Sequence, residues 1–445
     1  MQKNRYSHII PCTIRNRTGY SQTSNRVQWL IVPCLLLLFQ FGVAADINGN
    51  DSGTEKYRLV WAKDPTTEAT VAWNQKSGDP GVVHYGTKDF GRKHHLYPKS
   101  QKTHRTFRYT ESINNCFASL SDLQPDTRYF FCIKDKQGVS RRLTFVTAPD
   151  KPIEFTFIAG GDSRNFREPR IHANQICTKL QPLFIAFTGD MINRDTEEEW
   201  TEWLEDWQQT IDSEGNIIPI VPHRGNHESR PESIYNYFDT PEDAYYHWAI
   251  GDDMFRYFTL NSQIPADGKQ GKWLRSELKK YRKNTTHLVA GYHKPMRPHV
   301  SKKSEGDNPL LWADTFYQCG LDLAIESDSH VMKRTLPLKP DRNGTEGFSR
   351  SLNDKNATVY IGEGCWGAPL RAADDSKPWT IDAASFNGFD WILVTPDRIE
   401  VKTVMIQNPI HIKKIDPAKI FENPTLKLWE PKGGSVLIVP GDRQD

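Results

Sequence analysis

The 445-residue sequence predicts an all-β sandwich followed by a larger α/β domain. Two observations lead to this prediction. From residue 57 to residue 149, short alternating patterns such as YRLVWAKD and ATVAWNQ are separated by turn residues, as a small β-sandwich requires. After the linker TAPDKPIE, apolar strand patterns such as FTFIAGGD and LFIAFTGD alternate with amphipathic helical stretches, which indicates an α/β arrangement.

The first 45 residues predict a secretory signal peptide. They contain five basic residues, no acidic residue and the apolar run LIVPCLLLLFQFGVAA, which ends in small residues. We expect cleavage after Ala45, no stable membrane span afterwards, and a secreted, periplasmic or otherwise extracellular protein; an uncleaved N-terminal anchor is the alternative. Without this leader, 52 of the 57 basic residues and all 55 acidic residues remain. The mature chain therefore has no excess of positive charge, so we expect no nucleic-acid partner.

Five cysteines lie beyond the leader, and none has the CxxC spacing of a metal site. Cys116 and Cys132 could form a disulfide in an exported protein, or they could be two small residues in strands. A tryptophan at each of positions 200, 203 and 207 has helical spacing. These side chains either pack in the core or form a platform for a partner or a sugar.

We divide the chain into the signal peptide (1–45), the β-sandwich (55–149), the α/β domain (152–405) and a C-terminal extension (406–445). Within the second unit, the stretch LSDLQPDTRYFF resembles the tyrosine-corner sequence of fibronectin type III-like domains. The residues that carry this resemblance are Leu123, Pro125, Thr127 and Tyr129.

Five predicted strands of the α/β domain end in polar residues. In chain order these tips are GDSR (161–164), GDMIN (189–193), GNHE (225–228), GYHK (291–294) and SDSH (327–330). Ligands bind beyond the carboxyl ends of strands in open α/β sheets, so we expect the five tips to converge. Carboxylates, an amide and imidazoles together are suitable ligands for divalent metals. A pair of such ions can stabilise both the attacking and the leaving oxygen when a phosphoryl group is displaced.

The order and spacing of these tips resemble the calcineurin-like metallophosphoesterases. With a β-sandwich in front of them, the chain is similar to the purple acid phosphatases over roughly residues 55–405, and GNHE is the most specific motif. The resemblance implies a fibronectin type III-like sandwich, followed by an α/β metallophosphoesterase sandwich of two mixed β-sheets flanked by helices.

The resemblance also implies a ligand set for two divalent ions. It assigns Asp162 and His330 to the first metal position, Asp190 to a bridge between the positions, and Asn226 and His293 to the second position. His227 matches a histidine beside the substrate, where an imidazole can protonate a leaving alkoxide. The alternative is that His227 is a structural histidine.

Two positions depart from the family pattern near the first metal position. Asn193 stands where the family has a tyrosine ligand, so we list Asn193 as a candidate ligand and expect no Fe(III)-tyrosinate. Arg164 stands where related phosphodiesterases have a histidine. If the tip is extended, Arg164 points the same way as Asp162. Its guanidinium could then bind the substrate phosphate during the reaction. The alternative is that Arg164 forms a salt bridge at the surface.

The third departure is Asp328, where the family pattern is His-x-His. On an extended tip, Asp328 and His330 would face the same way, so we expect Asp328 to be an oxygen ligand of the second ion. A carboxylate in place of imidazole favours Mn or Mg over Zn, and its charge would raise the pH that activity needs. Alternatively, Asp328 is a remnant beside a weak or empty position. His299 is a further candidate for substrate binding, or a surface residue.

Together these features predict an exported, metal-dependent phosphoric ester hydrolase. By resemblance, we expect a phosphomonoesterase that uses a metal-bound hydroxide at a dinuclear site, with Mn, Fe, Zn or Mg as the two divalent ions. The expected partner is a small phosphate ester. The alternatives are a phosphodiesterase, a sulfate-ester hydrolase, or a non-catalytic secreted binding module on a degenerate site. The presence of His227 argues against the binding module, since a purely structural role does not need it.

Overall fold

The computed structural model describes residues 49–110, 112–304 and 309–441, so the expected signal peptide lies outside the described residues. Short strands follow one another directly in the first part of this range. These strands are β1 (Thr54–Val60), β2 (Ala69–Gln75), β3 (Val82–Gly86), β4 (Lys99–Lys102), β5 (Arg105–Arg108), β6 (Asn114–Leu120), β7 (Arg128–Lys134) and β8 (Leu143–Val146). A 3₁₀ turn, His94–Leu96, precedes β4.

Strands and helices alternate in the next part of the chain. They are β9 (Phe155–Gly160), α1 (Arg167–Leu180), β10 (Ile185–Phe187), α2 (Glu197–Trp207), β11 (Ile220–Pro222), α3 (Ser233–Phe238), β12 (Tyr246–Ile250), β13 (Phe255–Thr259), α4 (Lys269–Tyr281), β14 (His287–Gly291), α5 (Ala313–Cys319) and β15 (Leu323–Glu326). Strands and one 3₁₀ turn, Pro409–His411, follow. The strands are β16 (Met332–Thr335), β17 (Leu338–Thr345), β18 (Phe348–Arg350), β19 (Val359–Gly362), β20 (Thr380–Ala384), β21 (Gly388–Val394), β22 (Arg398–Met405) and β23 (Val436–Pro440).

The β-sandwich predicted for the N-terminal part is confirmed. A sheet with the order β4-β3-β7-β8 packs on strands β1, β2, β6 and β5, and Trp73 and Phe131 lie in the apolar core that the two layers share. The Tyr129 hydroxyl accepts a hydrogen bond of 2.8 Å from the backbone N–H of Gln124. This is the bond expected of a tyrosine corner.

The largest sheet continues from the sandwich into the α/β part. Its strand order is β23-β22-β21-β9-β10-β11-β1-β2-β6-β5, and β1 joins β11 in parallel through the pair Val60 and Ile220. Strand β23, from the C-terminal extension, pairs with β22 at the other edge. The described residues belong to one compact unit. The boundaries near residues 150 and 405 therefore stay a proposed division of this unit.

A second mixed sheet faces the first in the α/β part. Its order is β12-β13-β14-β15-β19-β16-β20, with β13, β14, β15 and β19 parallel and β12 and β16 antiparallel. Phe157 of the first sheet and Val289 of the second belong to the core between them. Helices α1 and α2 cover the outer face of the first sheet, and α4 and α5 cover that of the second. This confirms two mixed sheets flanked by helices.

The tryptophans of α2 pack inward. Trp200, Trp203 and Trp207 are at most 1% exposed, which confirms the core-facing interpretation and leaves no platform. The indole of Trp203 donates a 2.9 Å hydrogen bond to the hydroxyl of Ser163, the residue after Asp162. The apolar face of α2 therefore also supports the GDSR tip.

Cys116 and Cys132 do not form a disulfide. They lie in β6 and β7, which belong to different sheets, and both are buried free thiols. The alternative of two small strand residues is confirmed. Among the described residues, no helix is long and apolar enough to cross a membrane.

Candidate metal centre

The polar tips of the two mixed sheets converge at one edge, as the strand order predicts. Asp162 and Asp190 follow β9 and β10 of the first sheet, while His293 and Asp328 follow β14 and β15 of the second. The backbone N–H of Asp162 donates to the carbonyl of Gly189 at 2.9 Å, which joins the tips within the first sheet. The Nδ1–H of His293 donates to the Thr188 carbonyl at 2.9 Å, which joins the two sheets.

The tips are tight turns rather than extended strands. Asp162, Asp190, Asp328 and His330 all have positive φ angles, between 55° and 72°. Residues with side chains adopt this left-handed region only at a cost, and such residues cluster at functional sites. The expectation that extended tips orient Arg164 and Asp328 is therefore wrong, because the chain turns at each of these carboxylates.

The second metal position surrounds Nε2 of His293. This atom lies 3.1 Å from Oδ1 of Asn226, 3.2 Å from Oδ1 of Asp190 and 3.5 Å from Oδ1 of Asp328. Donor atoms about 2.1 Å from one ion lie about 3.0–3.4 Å apart, so these separations suit ligands of a single cation. Because Nδ1 of His293 is committed to a carbonyl, Nε2 is held toward this cluster.

The first metal position contains the guanidinium of Arg164. Its Nη1 donates to Oδ1 of Asn193 at 2.8 Å, its Nη2 lies 3.3 Å from Nε2 of His330, and its Nε lies 3.4 Å from Oδ2 of Asp190. Nε2 of His330 is also 3.1 Å from Oδ1 of Asp162. The ligands predicted for the first ion are thus brought together around Arg164, which is buried rather than a surface residue.

Two carboxylate oxygens in this cluster lack hydrogen-bond partners although they are buried. They are Oδ1 of Asp162 and Oδ2 of Asp190. Buried anionic oxygens are costly unless a cation or a donor satisfies them. One donor atom from each of Asp162, Asp190 and His293 can be chosen so that all lie within 4.8 Å of one another. The donor set therefore fits a divalent cation.

The electrostatics of His293 agree with this fit. Burial alone would lower the pKa of His293, but the carboxylates of Asp190, Asp328 and Asp162 raise it well above its usual value. The ammonium of Lys303, a residue that we did not predict at the site, forms an ion pair with Oδ2 of Asp328. The cluster attracts positive charge from several directions.

His227 lies on the open side of the cluster. Its Nδ1–H donates to the carbonyl of Asn193 at 2.6 Å, and its backbone N–H donates to Oδ1 of Asp190 at 2.9 Å. Nε2 of His227 is 3.6 Å from Oδ2 of Asp190, and the side chain is 25% exposed. Its neighbour Asn226 is exposed as well. A molecule that approaches the cluster from solvent therefore meets the His227 ring.

The structure does not bring His299 to this open side. The ring is fully buried, with Nδ1 2.9 Å from Oε1 of Glu363 and Nε2 2.7 Å from Oγ1 of Thr380. Both ring nitrogens are thus occupied within the protein. We therefore correct the expectation that His299 binds substrate, or lies at the surface, and assign it a structural role.

His299 belongs to a buried ionic network behind the cluster. The Lys333 ammonium contacts Glu326 and lies 2.7 Å from Oε1 of Glu363. Burial opposes ionisation of Glu363, but the charges of Lys333 and His299 lower its pKa to about 2. The carbonyl of Glu363 accepts a 2.8 Å hydrogen bond from the backbone N–H of His330, so the network holds the SDSH tip.

Glu228 supports the tips of the first sheet. Its carboxylate accepts hydrogen bonds from the backbone N–H groups of Asp190 (3.0 Å), Met191 (2.8 Å) and Gly225 (2.7 Å). Burial, followed by the charge of Asp190, raises the pKa of Glu228 to about 7. Gly225 allows this close packing, since a Cβ there would lie 2.3 Å from Oδ1 of Asp190. The motif GNHE contains both residues, but its pattern does not reveal these roles.

Comparisons with known proteins agree with this architecture. Residues 54–147 match the family model for the purple acid phosphatase N-terminal domain, and residues 120–332 match that for the calcineurin-like phosphoesterases. Acid phosphatase type 7 from Homo sapiens is 24% identical over 344 residues, which are 68% of this chain and 76% of the human protein.

Two solved structures share the fold. A purple acid phosphatase from yellow lupin (Lupinus luteus) seeds has a TM-score of 0.64 and 14% identity, with 80% of this chain and 72% of the lupin chain covered. PhoD has a TM-score of 0.61 and 10% identity, with 88% of this chain and 93% of the PhoD chain covered. The two family models match in chain order, and together with the human relative they indicate a phosphoesterase of the purple acid phosphatase type.

Proposed function

We propose that this protein is an exported phosphomonoesterase that acts on small phosphate esters with the help of a bound divalent cation. The observation that carries the proposal is the cluster of oxygen donors from Asp190, Asn226 and Asp328 within 3.5 Å of Nε2 of His293. A divalent cation held by these residues would supply Lewis acidity toward phosphate oxygens and would make a water molecule a better nucleophile.

His227 is our candidate for the proton donor. The hydrogen bond from its Nδ1–H to Asn193 orients the ring and leaves Nε2 on the open side. In its imidazolium form, Nε2–H can donate to the alkoxide oxygen that leaves phosphorus. The ring therefore has the orientation that proton donation needs.

Arg164 is our candidate for phosphate binding. A guanidinium presents a planar set of N–H donors that matches phosphate oxygens. Arg164 is 9% exposed, so a small part of its side chain is open to contact with a bound phosphate. Such a contact would stabilise negative charge that develops on the phosphate oxygens.

The choice of monoesters and the export route rest on the comparisons and on the sequence. Similarity to an enzyme named as an acid phosphatase supports monoesters over diesters. The basic, acid-free leader with its apolar run supports export. The family is dinuclear, and the two groups of donors around His293 and His330 support up to two cation positions.

A substrate panel tests the proposal. The purified protein, supplied with Mn²⁺, is assayed with an aryl phosphate monoester, an aryl phosphate diester and an aryl sulfate. We expect the monoester to be hydrolysed fastest, and His227→Asn to lower its kcat by about 10²–10⁴-fold without loss of bound metal. His411→Asn, at an exposed histidine, is the matched control and should keep full activity. Preferred hydrolysis of the diester or the sulfate would overturn the monoester assignment.

A further inference from the structure

Three different ligand candidates surround the Arg164 guanidinium, and each of its nitrogens faces one of them. Nη1 faces Oδ1 of Asn193 at 2.8 Å, Nη2 faces Nε2 of His330 at 3.3 Å, and Nε faces Oδ2 of Asp190 at 3.4 Å. A second bond of Nη1, to Oδ1 of Asn165 at 2.9 Å, fixes the guanidinium in this orientation. The group thus occupies the centre of the first metal position.

A metal ion and this guanidinium cannot share the same space. Metal ligands lie about 2.0–2.2 Å from the ion, whereas the Arg164 nitrogens already lie 2.8–3.4 Å from the same three atoms. An ion in contact with Asn193, His330 and Asp190 would overlap the nitrogens that now face them. Arg164 would have to leave a buried position before the ion could enter.

The charges of the site also favour one ion. Three carboxylates lie in the cluster, those of Asp162, Asp190 and Asp328. Arg164 is 3.4 Å from Asp190, and the Lys303 ammonium pairs with Asp328. Two divalent ions together with both basic groups would give the buried cluster six positive charges against three carboxylates. With Arg164 as a permanent cation, a single divalent ion leaves a smaller excess of positive charge.

We propose that Arg164 replaces the first metal ion, so that this protein holds one divalent cation, at the second position formed by Asp190, Asn226, His293 and Asp328. The inference deepens the proposed function and rests on it for the assumption that the substrate carries a phosphate. Arg164 and the single cation would then contact that phosphate from two sides. Asp162 and His330 then serve to position Arg164 and the SDSH tip.

Metal stoichiometry tests the inference without any substrate. The folded protein is saturated with Mn²⁺, freed of excess ion and analysed for manganese per chain, and its electron paramagnetic resonance spectrum is recorded. We expect one Mn²⁺ per chain and the spectrum of an isolated ion. In Arg164→Ala and Arg164→His the position is open, so we expect two Mn²⁺ per chain and the spectrum of a coupled pair.

Arg398→Ala is the matched control, since Arg398 is exposed and pairs with Glu400 within β22; it should keep one ion. Circular dichroism verifies that each variant is folded. Two Mn²⁺ per chain in the wild-type protein would overturn the inference, and so would one ion in both Arg164 variants. Failure of the proposed function would appear separately, as one bound Mn²⁺ with no hydrolysis of aryl phosphate.

Discussion

Oδ1 of Asp328 lies 3.5 Å from Nε2 of His293, across the gap between the tips of two neighbouring strands. The same carboxylate carries the Lys303 ammonium on its other oxygen, and the backbone N–H of Asp328 donates to Oδ2 of Asp162 at 2.8 Å. Asp328 therefore stands where an oxygen ligand for the second position is needed. These neighbours hold the carboxylate in that position.

Replacing Asp328 should weaken metal binding. We expect Asp328→Ala to raise the Kd for Mn²⁺ by about 100-fold, because it removes an anionic ligand from a buried cation. A competition titration against a chelator measures this Kd. Asp267→Ala, at an exposed carboxylate that pairs with Arg275, is the control. An unchanged Kd in Asp328→Ala would show that this carboxylate is a remnant.

Metal binding should depend on pH through His293. Its carboxylate neighbours raise its pKa well above 6.5, so below the raised value the ring must lose a proton before Nε2 can bind a metal. Affinity should therefore fall with falling pH, by up to about tenfold per unit. Calorimetry in two buffers of different protonation enthalpy should detect a released proton. Binding without proton release at acidic pH would contradict a role for His293 as a ligand.

The raised pKa of His293 affects folding stability in the opposite direction: without bound metal, stability falls as the pH rises. A raised pKa means that folding favours protonated His293, so its contribution to stability is complete below pH 6.5 and disappears as the pH rises through the raised pKa. The apo protein should lose stability over that upper range, and saturating metal should reverse the loss. Urea unfolding curves with and without Mn²⁺ measure both effects.

Removing the cation of the buried network should destabilise the fold. Lys333→Met leaves the carboxylates of Glu326 and Glu363 without their shared partner, which should cost about 3–5 kcal/mol of unfolding free energy near neutral pH. The low pKa of Glu363 implies that this difference shrinks as the pH falls from 4.5 toward 2. Lys419→Met, at an exposed ion pair, is the control and should not change the unfolding curve.

The carboxylate of Glu228 should stabilise the fold more than the amide of a glutamine would. In Glu228→Gln, the amide nitrogen must face one of the backbone N–H groups that the carboxylate now accepts from, which should cost about 1–3 kcal/mol. Glu232→Gln, at an exposed neighbour, should be neutral. Chemical denaturation compares the two variants. Equal stability would mean that the protonated form of Glu228, which its raised pKa favours, already predominates.

The strand tips could be predicted from sequence because they follow from a general rule. Parallel strands direct their carboxyl ends to one edge of their sheet. Asp162 and Asp190 therefore meet where β9 and β10 pair, and His293 and Asp328 meet where β14 and β15 pair. The residue types at these ends then indicated the chemistry. The α2 tryptophans were equally predictable, since helical spacing of large apolar residues usually reports packing.

Other features depend on contacts between distant residues, which periodicity does not reveal. The left-handed turns at Asp162 and Asp328 reorient the side chains that an extended tip would have aligned. Lys303 reaches Asp328 across 25 residues from a segment without a motif. The basic character of His299 and its closeness to His293 in sequence predict a place in the substrate pocket. In the structure, Glu363, 64 residues further on, holds the ring in the interior.

The most direct test of metal-dependent phosphomonoester hydrolysis is the turnover of an aryl phosphate before chelation, after chelation and after add-back of single metals. We predict that removal of bound metal abolishes turnover and that Mn²⁺ or Mg²⁺ restores it better than Zn²⁺, because Asp328 supplies an oxygen ligand in place of an imidazole. Turnover that survives complete chelation, or no turnover with any added metal, would contradict the proposed function.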